Sequence, residues 1–365
     1  MKASVLLMGQ HAPDELADLV DLSEEAGYDV FWYADERFFR DAYIGLTMAA
    51  LRTRRIQLGP LVTDPYSRHP AMTAAAIASL AELAPGRVLL GLGAGGSGFQ
   101  QMGLERRRPL VAVREATELL RRLLGGEKLT YQGEVIQLKE GSLDFRPAGP
   151  VPIYIGTSGR RMLKLAGAIA DGVCIGSYAS DRALRAALSY IRDGAEEAGR
   201  DPASLDVIAR VDLSIASNRA AAYAAVKPEI NYSLWFGYGH LEQTALDYDA
   251  ESPAWQLPPN LLAELAKRDW SLVGPTAQLV PDALVPHRAL AGTLDEVIDN
   301  ALRIASLGIR HITVYPVPVP GDPIGGSHAA QIELFATQVM PQLRASLAEA
   351  SAHREGDGGT DARKV

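Results

Sequence analysis

The chain of 365 residues has a single cysteine, Cys174. An internal disulfide and a cysteine metal cluster are therefore excluded. The apolar neighbours in DGVCIGS make Cys174 a buried strand thiol rather than a nucleophile. Positive charge is also in deficit: 36 Lys and Arg stand against 44 Asp and Glu, a net charge of −8. Such a surface attracts neither nucleic acid nor an anionic membrane. No apolar run approaches the roughly 20 residues that a membrane span needs, and the first strand is expected to begin at Lys2 with no basic leader before it. These deficits lead to the expectation of a soluble cytoplasmic protein with no nucleic-acid partner and no membrane partner.

Glycine is what the chain has in a telling place. Arg87 to Gly98 reads RVLLGLGAGGSG, an apolar run that breaks into Gly91, Gly93, Gly95, Gly96 and Gly98. Glycine serves where backbone takes positive φ or lies close to a ligand. The stretch therefore reads either as a tight strand-to-helix turn or as bare main chain under something flat or anionic. A lone Gly-x-Gly does not decide between them.

Taken in order, the chain alternates strand and helix. Strands are expected at Lys2 to Met8, Asp29 to Tyr33, Ile56 to Val62, Val88 to Leu92, Pro152 to Gly156, Val173 to Gly176, Asp206 to Ile215 and His311 to Pro316. Helices are expected at Asp14 to Ala26, Ile44 to Leu51, Pro70 to Leu83, Leu110 to Leu124, Arg160 to Ala170, Asp181 to Glu197, Arg219 to Pro228, Thr293 to Leu307 and Ala329 to Ala348. Thr130 to Gly149 alternates with period two, as an edge hairpin does. An aromatic, proline-bearing stretch from Tyr232 to Trp270 breaks the rhythm, and the polar tail Ser351 to Val365 reads as disordered.

Eight β/α alternations predict an α/β fold of TIM (β/α)8 barrel type, a single domain over residues 1–350 with insertions at about 130–149 and 231–284. A doubly wound open sheet is the alternative, but its glycine fingerprint belongs after the first strand, where this chain has MGQHAP. In a barrel the chemistry sits at the C-terminal ends of the strands.

The segments AGYDVFWYADERFFRDAY, LGPLVTDPYSRHPAMTAAAIASLAELAPGRVLLGLGAG, VPIYIGTSGRRMLKLAGAIADGV and GTLDEVIDNALRIASLGIRHITVYP, in that order and spacing, resemble the luciferase-like flavin and deazaflavin oxidoreductases. The closer resemblance is to their coenzyme F420-dependent branch, typified by methylenetetrahydromethanopterin reductase. It implies a barrel of the bacterial-luciferase type, F420 as cofactor with FMN as the alternative, hydride transfer, and a homodimer.

The resemblance also implies site residues. An aspartate and histidine often follow the second strand in the family, facing the ring; here they are Asp35 and Glu36. Asp35 matches. Glu36 replaces the histidine and reads either as an acid or base of raised pKa or as a rim ion pair with Arg37 or Arg40. Deazaflavin relatives carry a non-prolyl cis peptide after the third strand, which alignment places between Leu61 and Val62, with Thr63 and Asp64 following. Gly93, Ala94 and Gly95 fall where relatives pass the ribityl chain and ring.

Thr157, Ser158 and Gly159 lead into a helix opening at Arg160, a natural phosphate site from free N–H groups and the helix dipole; a plain N-cap by Ser158 suits the same loop. His11 follows the first strand near the position of an acidic proton donor in a relative, and imidazoles titrate near neutrality. Arg68 and His69 read as structural, and Tyr178 as part of the pocket wall. The aromatics of Tyr232 to Trp270 would line a pocket or a dimer interface.

The expected function is F420-dependent hydride transfer between the deazaflavin C5 and a small organic substrate, with Glu36 or His11 carrying the proton. A reduced-FMN monooxygenase is the rival within the fold. A non-redox barrel that has lost the usual histidine is the rival outside it.

Overall fold

Strands buried on both faces, each followed by an amphipathic helix, wind into a closed parallel sheet because every apolar stripe needs a partner layer. The computed structural model describes residues 1–177, 179–237, 257–267 and 269–357. Strand β1 (Lys2–Leu7) precedes α1 (Pro13–Glu25), β2 (Val30–Tyr33) precedes α2 (Ala42–Arg52), and β3 (Gln57–Pro60) precedes α3 (Pro70–Leu83). After β4 (Leu90–Leu92) come the short α4 (Phe99–Met102), α5 (Pro109–Leu124) and the hairpin β5 (Leu129–Gln132) and β6 (Gln137–Gly141). The rhythm continues with β7 (Ile153–Thr157), α6 (Arg160–Ile169), β8 (Gly172–Gly176), α7 (Asp181–Glu197), β9 (Asp206–Ile215) and α8 (Arg219–Gly237). Helix α9 (Pro259–Ala266) and several short turns lead to β10 (Ala289–Gly292) and α10 (Leu294–Ser306). Strand β11 (His311–Pro316), α11 (His328–Leu334) and α12 (Met340–Asp357) close the chain.

The parallel sheet runs β3-β2-β1-β11-β9-β8-β7-β4. Bridges Leu58 to Val88 and Thr63 to Leu92 join its two ends, so it closes as the expected TIM barrel. Period-two alternation sorts each strand into two layers. Leu6, Trp32, Leu89, Cys174 and Ile208 form a cluster of their own inside the barrel. Their neighbours Val5, Phe31, Leu90, Val173 and Ala209 pack in the larger core with the helices.

Polar side chains fill the N-terminal end of the barrel. His311 sits 2.9 Å from Ser4 Oγ through Nε2 and 3.1 Å from Asp206 Oδ2 through Nδ1. The Tyr154 hydroxyl and Lys2 ammonium also donate to Asp206, each at 2.9 Å. This end supports stability and leaves chemistry to the other.

Most boundaries agree with the periodicity, and three differ. Strand β10, unpredicted, pairs in parallel with the second half of β9. Its sequence ALAG has no β-branched residue and reads as a lead-in to α10. Helix α8 does not stop at Pro228 but runs through it to Gly237. A mid-helix proline costs about 3 kcal/mol. Buried Val226, Ile230 and Leu234, each bringing roughly 1.5–3 kcal/mol, outweigh it. Helix α12 continues to Asp357, seven residues into the expected tail; residues 358–365 lie outside the described residues. Among the described residues no helix is long and apolar enough to cross a membrane.

Candidate functional site

A cavity of about 500 Å³ opens at the C-terminal ends of the strands, large enough for an extended small molecule. Leu6 and Cys174, from the barrel interior, border it, as do Leu61 and Val62. Burial pushes the Cys174 thiol up to about 12, so it is an apolar wall atom and no nucleophile, as its neighbours in sequence imply.

The peptide between Leu61 and Val62 is cis, as the resemblance implies. Val62 lies against two glycines: a β-carbon on Gly93 would stand 2.5 Å from Val62 Cγ2, and one on Gly156 2.6 Å from Cγ1. The glycines of two strand exits thus make room for a side chain from a third. Of the glycine loop, Ala94 borders the cavity, while Gly93 packs on Val62. Gly95 takes φ +60°, and a β-carbon there would meet Phe99 and Asp64. The loop is therefore both a tight turn and a close wall.

Thr63 is fully buried and stands behind the cavity. Its N–H donates to Gly91 O, its carbonyl accepts from Gly93 N–H, and its hydroxyl donates to Asp35 Oδ2 at 2.7 Å. Asp35 also pairs with Arg37 at 3.1 Å, and Arg37 bonds Asp64 in turn. Asp35, Thr63 and Arg37 are one bonded cluster beside a second, more open cavity of about 450 Å³ lined by Asp35 to Phe39 and by Ser67 to His69.

Thr157, Ser158 and Gly159 line the main cavity where α6 begins. Gly159, not Ser158, is the N-cap, and no side chain caps the helix. The Thr157 hydroxyl instead accepts from Gly159 N–H at 3.1 Å. First-turn N–H groups and the positive dipole end thus open on the cavity without a side-chain acceptor, which is what an anion requires. The Arg160 guanidinium turns away, over the Tyr190 ring at 5.4 Å from its centroid. At this position the chain offers backbone and dipole rather than a side-chain charge.

The two proton-carrier candidates part company. Neither Arg37 nor Arg40 forms the rim ion pair with Glu36: Arg37 is taken by Asp35 and Asp64, and Arg40 donates to the carbonyls of Gly9 and Gln10. Glu36 Oε1 instead faces the Tyr232 hydroxyl at 3.4 Å. Burial pushes its carboxyl above the usual range, with Arg37 opposing. His11 does not border the cavity. It is 2 % exposed, with Nδ1 3.0 Å from Glu15 Oε1 and its ring against His328. The β1 exit turns its histidine toward α1 and α11, and Met8 takes the cavity side.

His69 caps α3, accepting from Ala71 N–H, and contacts the Gln137 carbonyl through Nε2 at 3.0 Å; Arg68 lies over Tyr43. Both make these structural contacts while also lining the second cavity. Tyr178, Tyr238, Tyr248 and Trp255 lie outside the described residues, and Trp235 is buried.

One carboxylate escaped the sequence reading. Glu229, Tyr232 and Ser233 all border the cavity because spacings of three and four residues put them on one face of α8. Burial first, then the charge of Asp212, push the Glu229 carboxyl up to about 7, with Arg210 opposing. Asp212, fully buried behind it, is raised by burial against the pull of Arg210 and Arg288; Arg210 Nη1 lies 2.8 Å from its Oδ1. Arg210 and Arg288 both reach the cavity. Both carboxyls are thus held above the usual range, as an acid/base group requires. The signal was present in sequence, but ending the helix at Pro228 cut Glu229 from its face.

The sequence model of the luciferase-like monooxygenase family matches residues 1–311. The chain is 34% identical over 333 residues to a 5,10-methylenetetrahydromethanopterin reductase of Archaeoglobus fulgidus, covering 90% of this chain and 96% of that one. It is 30% identical to an F420-dependent glucose-6-phosphate dehydrogenase of Nakamurella multipartita, over 92% and 94% of the two chains. The solved coenzyme F420-dependent tetrahydromethanopterin reductase of Methanopyrus kandleri superposes with a TM-score of 0.79 at 27% identity, over 94% of this chain and 99% of that one. The family-model match over residues 1–311, together with these identities over about nine tenths of the chain, places this chain in the luciferase-like monooxygenase family.

Proposed function

We propose that this chain is a coenzyme F420-dependent oxidoreductase that moves a hydride between the deazaflavin C5 and a carbon of a small organic substrate. One observation carries the reading: the uncapped start of α6 and the Leu61–Val62 bulge face the same cavity, in a chain that matches F420-dependent enzymes over about nine tenths of its length. The residues fit such a cofactor. Backbone N–H groups in the first turn of α6, with the Thr157 and Ser158 hydroxyls, would hold its phosphate. Val62, Leu61 and Ala94, backed by Gly93, would support the ring. Gly95 shapes the loop beside it; Asp35, fixed by Thr63, lines the second cavity and does not border the main one. A bound deazaflavin supplies two-electron chemistry.

The protein's own contribution is position and proton. Glu229 holds a proton near neutral pH at the cavity wall, and Arg210 and Arg288 sit beside it to orient a polar group of the substrate. The Tyr232 hydroxyl connects the cavity to Glu36, which supplies a second carboxyl behind it. The substrate is a small organic molecule, and the protein works in the cytoplasm as a homodimer. Ile44, Leu51, Met72 and Leu83, exposed on α2 and α3, support a second copy covering that face.

Titration with oxidised F420 and separately with FMN, followed by fluorescence of Trp32 and Trp235, tests the proposal. Tight F420 binding with weak FMN binding supports it. Preference for FMN moves the reading to an oxygen-using monooxygenase, and binding of neither overturns both.

A further inference from the structure

Strands β1 and β11 pair side by side, so the loops leaving them are neighbours, and three metal-ligating side chains meet there. His11 precedes α1, Glu15 lies in the first turn of α1, and His328 opens α11. One ligand atom from each of the three lies within 4.8 Å of the others. His11 Nδ1 is 3.0 Å from Glu15 Oε1, and the His11 and His328 rings meet edge to face, 4.4 Å between centroids.

Two further facts set this cluster apart from chance proximity. His11 is 2 % exposed and its Nε2 is buried without a hydrogen-bond partner, an unsatisfied state that native interiors rarely tolerate. None of the three residues borders the main cavity, so hydride transfer makes no use of them. Glu15, with its side chain 54% exposed, leaves the cluster open to solvent on one side.

We infer that His11, Glu15 and His328 form a binding site for one divalent transition-metal ion of the zinc class, with water completing the coordination. Two imidazoles and one carboxylate are a borderline donor set that favours Zn2+, Co2+ or Ni2+ over Mg2+ or Ca2+. Metal–ligand lengths of about 2.0–2.2 Å in a tetrahedron set ligand atoms roughly 3.3–3.5 Å apart. The three ligand atoms lie within 4.8 Å of one another, so the widest pair must close by up to about 1.4 Å on binding. The ion would staple the first β/α unit to the last. Because only the folded chain brings these residues together, binding adds to its stability by mass action.

The test uses the full chain, stripped with EDTA and free of F420, so that its outcome is independent of the proposed hydride transfer. Co2+ is titrated and its visible absorption followed, Zn2+ is then added as competitor, and Mg2+ serves as control. The expected result is one Co2+ per chain, displaced by Zn2+, with a higher unfolding temperature when loaded. E15Q and H328A should each weaken Co2+ binding roughly tenfold to a hundredfold. Glu15 is exposed, so E15Q tests the site without endangering the fold. Failure to bind one Co2+ per chain, or parental affinity in both variants, overturns the assignment.

Discussion

Cγ1 of Val62 lies 2.6 Å from the point where a β-carbon on Gly156 would stand, so the bulge after β3 and the exit of β7 interlock only because residue 156 has no side chain. Cofactor support and barrel closure thus meet at one contact. G156A should push Val62 into the cavity. Overpacking of this kind costs about 1–3 kcal/mol. The unfolding temperature should fall and F420 binding weaken, read by thermal unfolding and by the fluorescence titration. Unchanged binding would remove Val62 from the ring site.

Ser158 gives a prediction in which affinity and stability move in opposite directions. A carboxylate near a helix N-terminus favours the helix by about 0.3–1 kcal/mol, yet it would occupy the place proposed for the cofactor phosphate. S158D should keep or raise the unfolding temperature while weakening F420 binding, and inorganic phosphate should compete with F420 in the parent. A variant that binds F420 as the parent does would move the phosphate elsewhere.

Glu229 titrates up near 7, through burial and then the charge of Asp212. As the proton donor it loses its proton as pH rises through that value, so the reductive rate should fall above about pH 7. E229Q should lose that limb and about 10²–10⁴ in kcat. Stability falls in the same direction. A raised carboxyl contributes fully below its unfolded pKa near 4.3 and loses that contribution as pH rises through the folded value. E229Q should therefore unfold at a higher temperature than the parent at pH 8, and at about the same temperature at about pH 4.

Asp206 predicts the opposite pH dependence at the other end of the barrel. Burial raises its carboxyl, but the His311 hydrogen bond and charge, with Lys2, hold it well below the usual range. Its contribution is present above the unfolded value of about 3.9 and is lost as pH falls through the folded one. D206N should cost about 2 kcal/mol at pH 7. It should also flatten the fall in unfolding temperature between about pH 4 and the acid limit. An acid limb as steep as the parent's would show that other carboxylates carry it.

Period and punctuation in the sequence were enough for the barrel. Continuous apolar strands such as VFWY, buried on both faces, and helices bounded at Pro70 or Asp181 are local consequences of burial, legible in any short window. The open N–H groups before Arg160 were legible in the loop residues, though the Ser158 cap is absent, and the cis bond at Leu61–Val62 followed from the family resemblance.

Tertiary contact decided the rest. Whether a histidine after β1 faces the cavity depends on the packing of α1 against α11, and His11 faces those helices instead of the cavity. Whether α8 survives Pro228 depends on the apolar layer that Val226, Ile230 and Leu234 enter, which no local rule contains. That survival puts Glu229 and Tyr232 on the cavity wall, where burial and then Asp212 from the preceding strand β9 raise the pKa of Glu229. Burial and neighbouring charge set a proton carrier's strength, and both are properties of the packed molecule rather than of the chain.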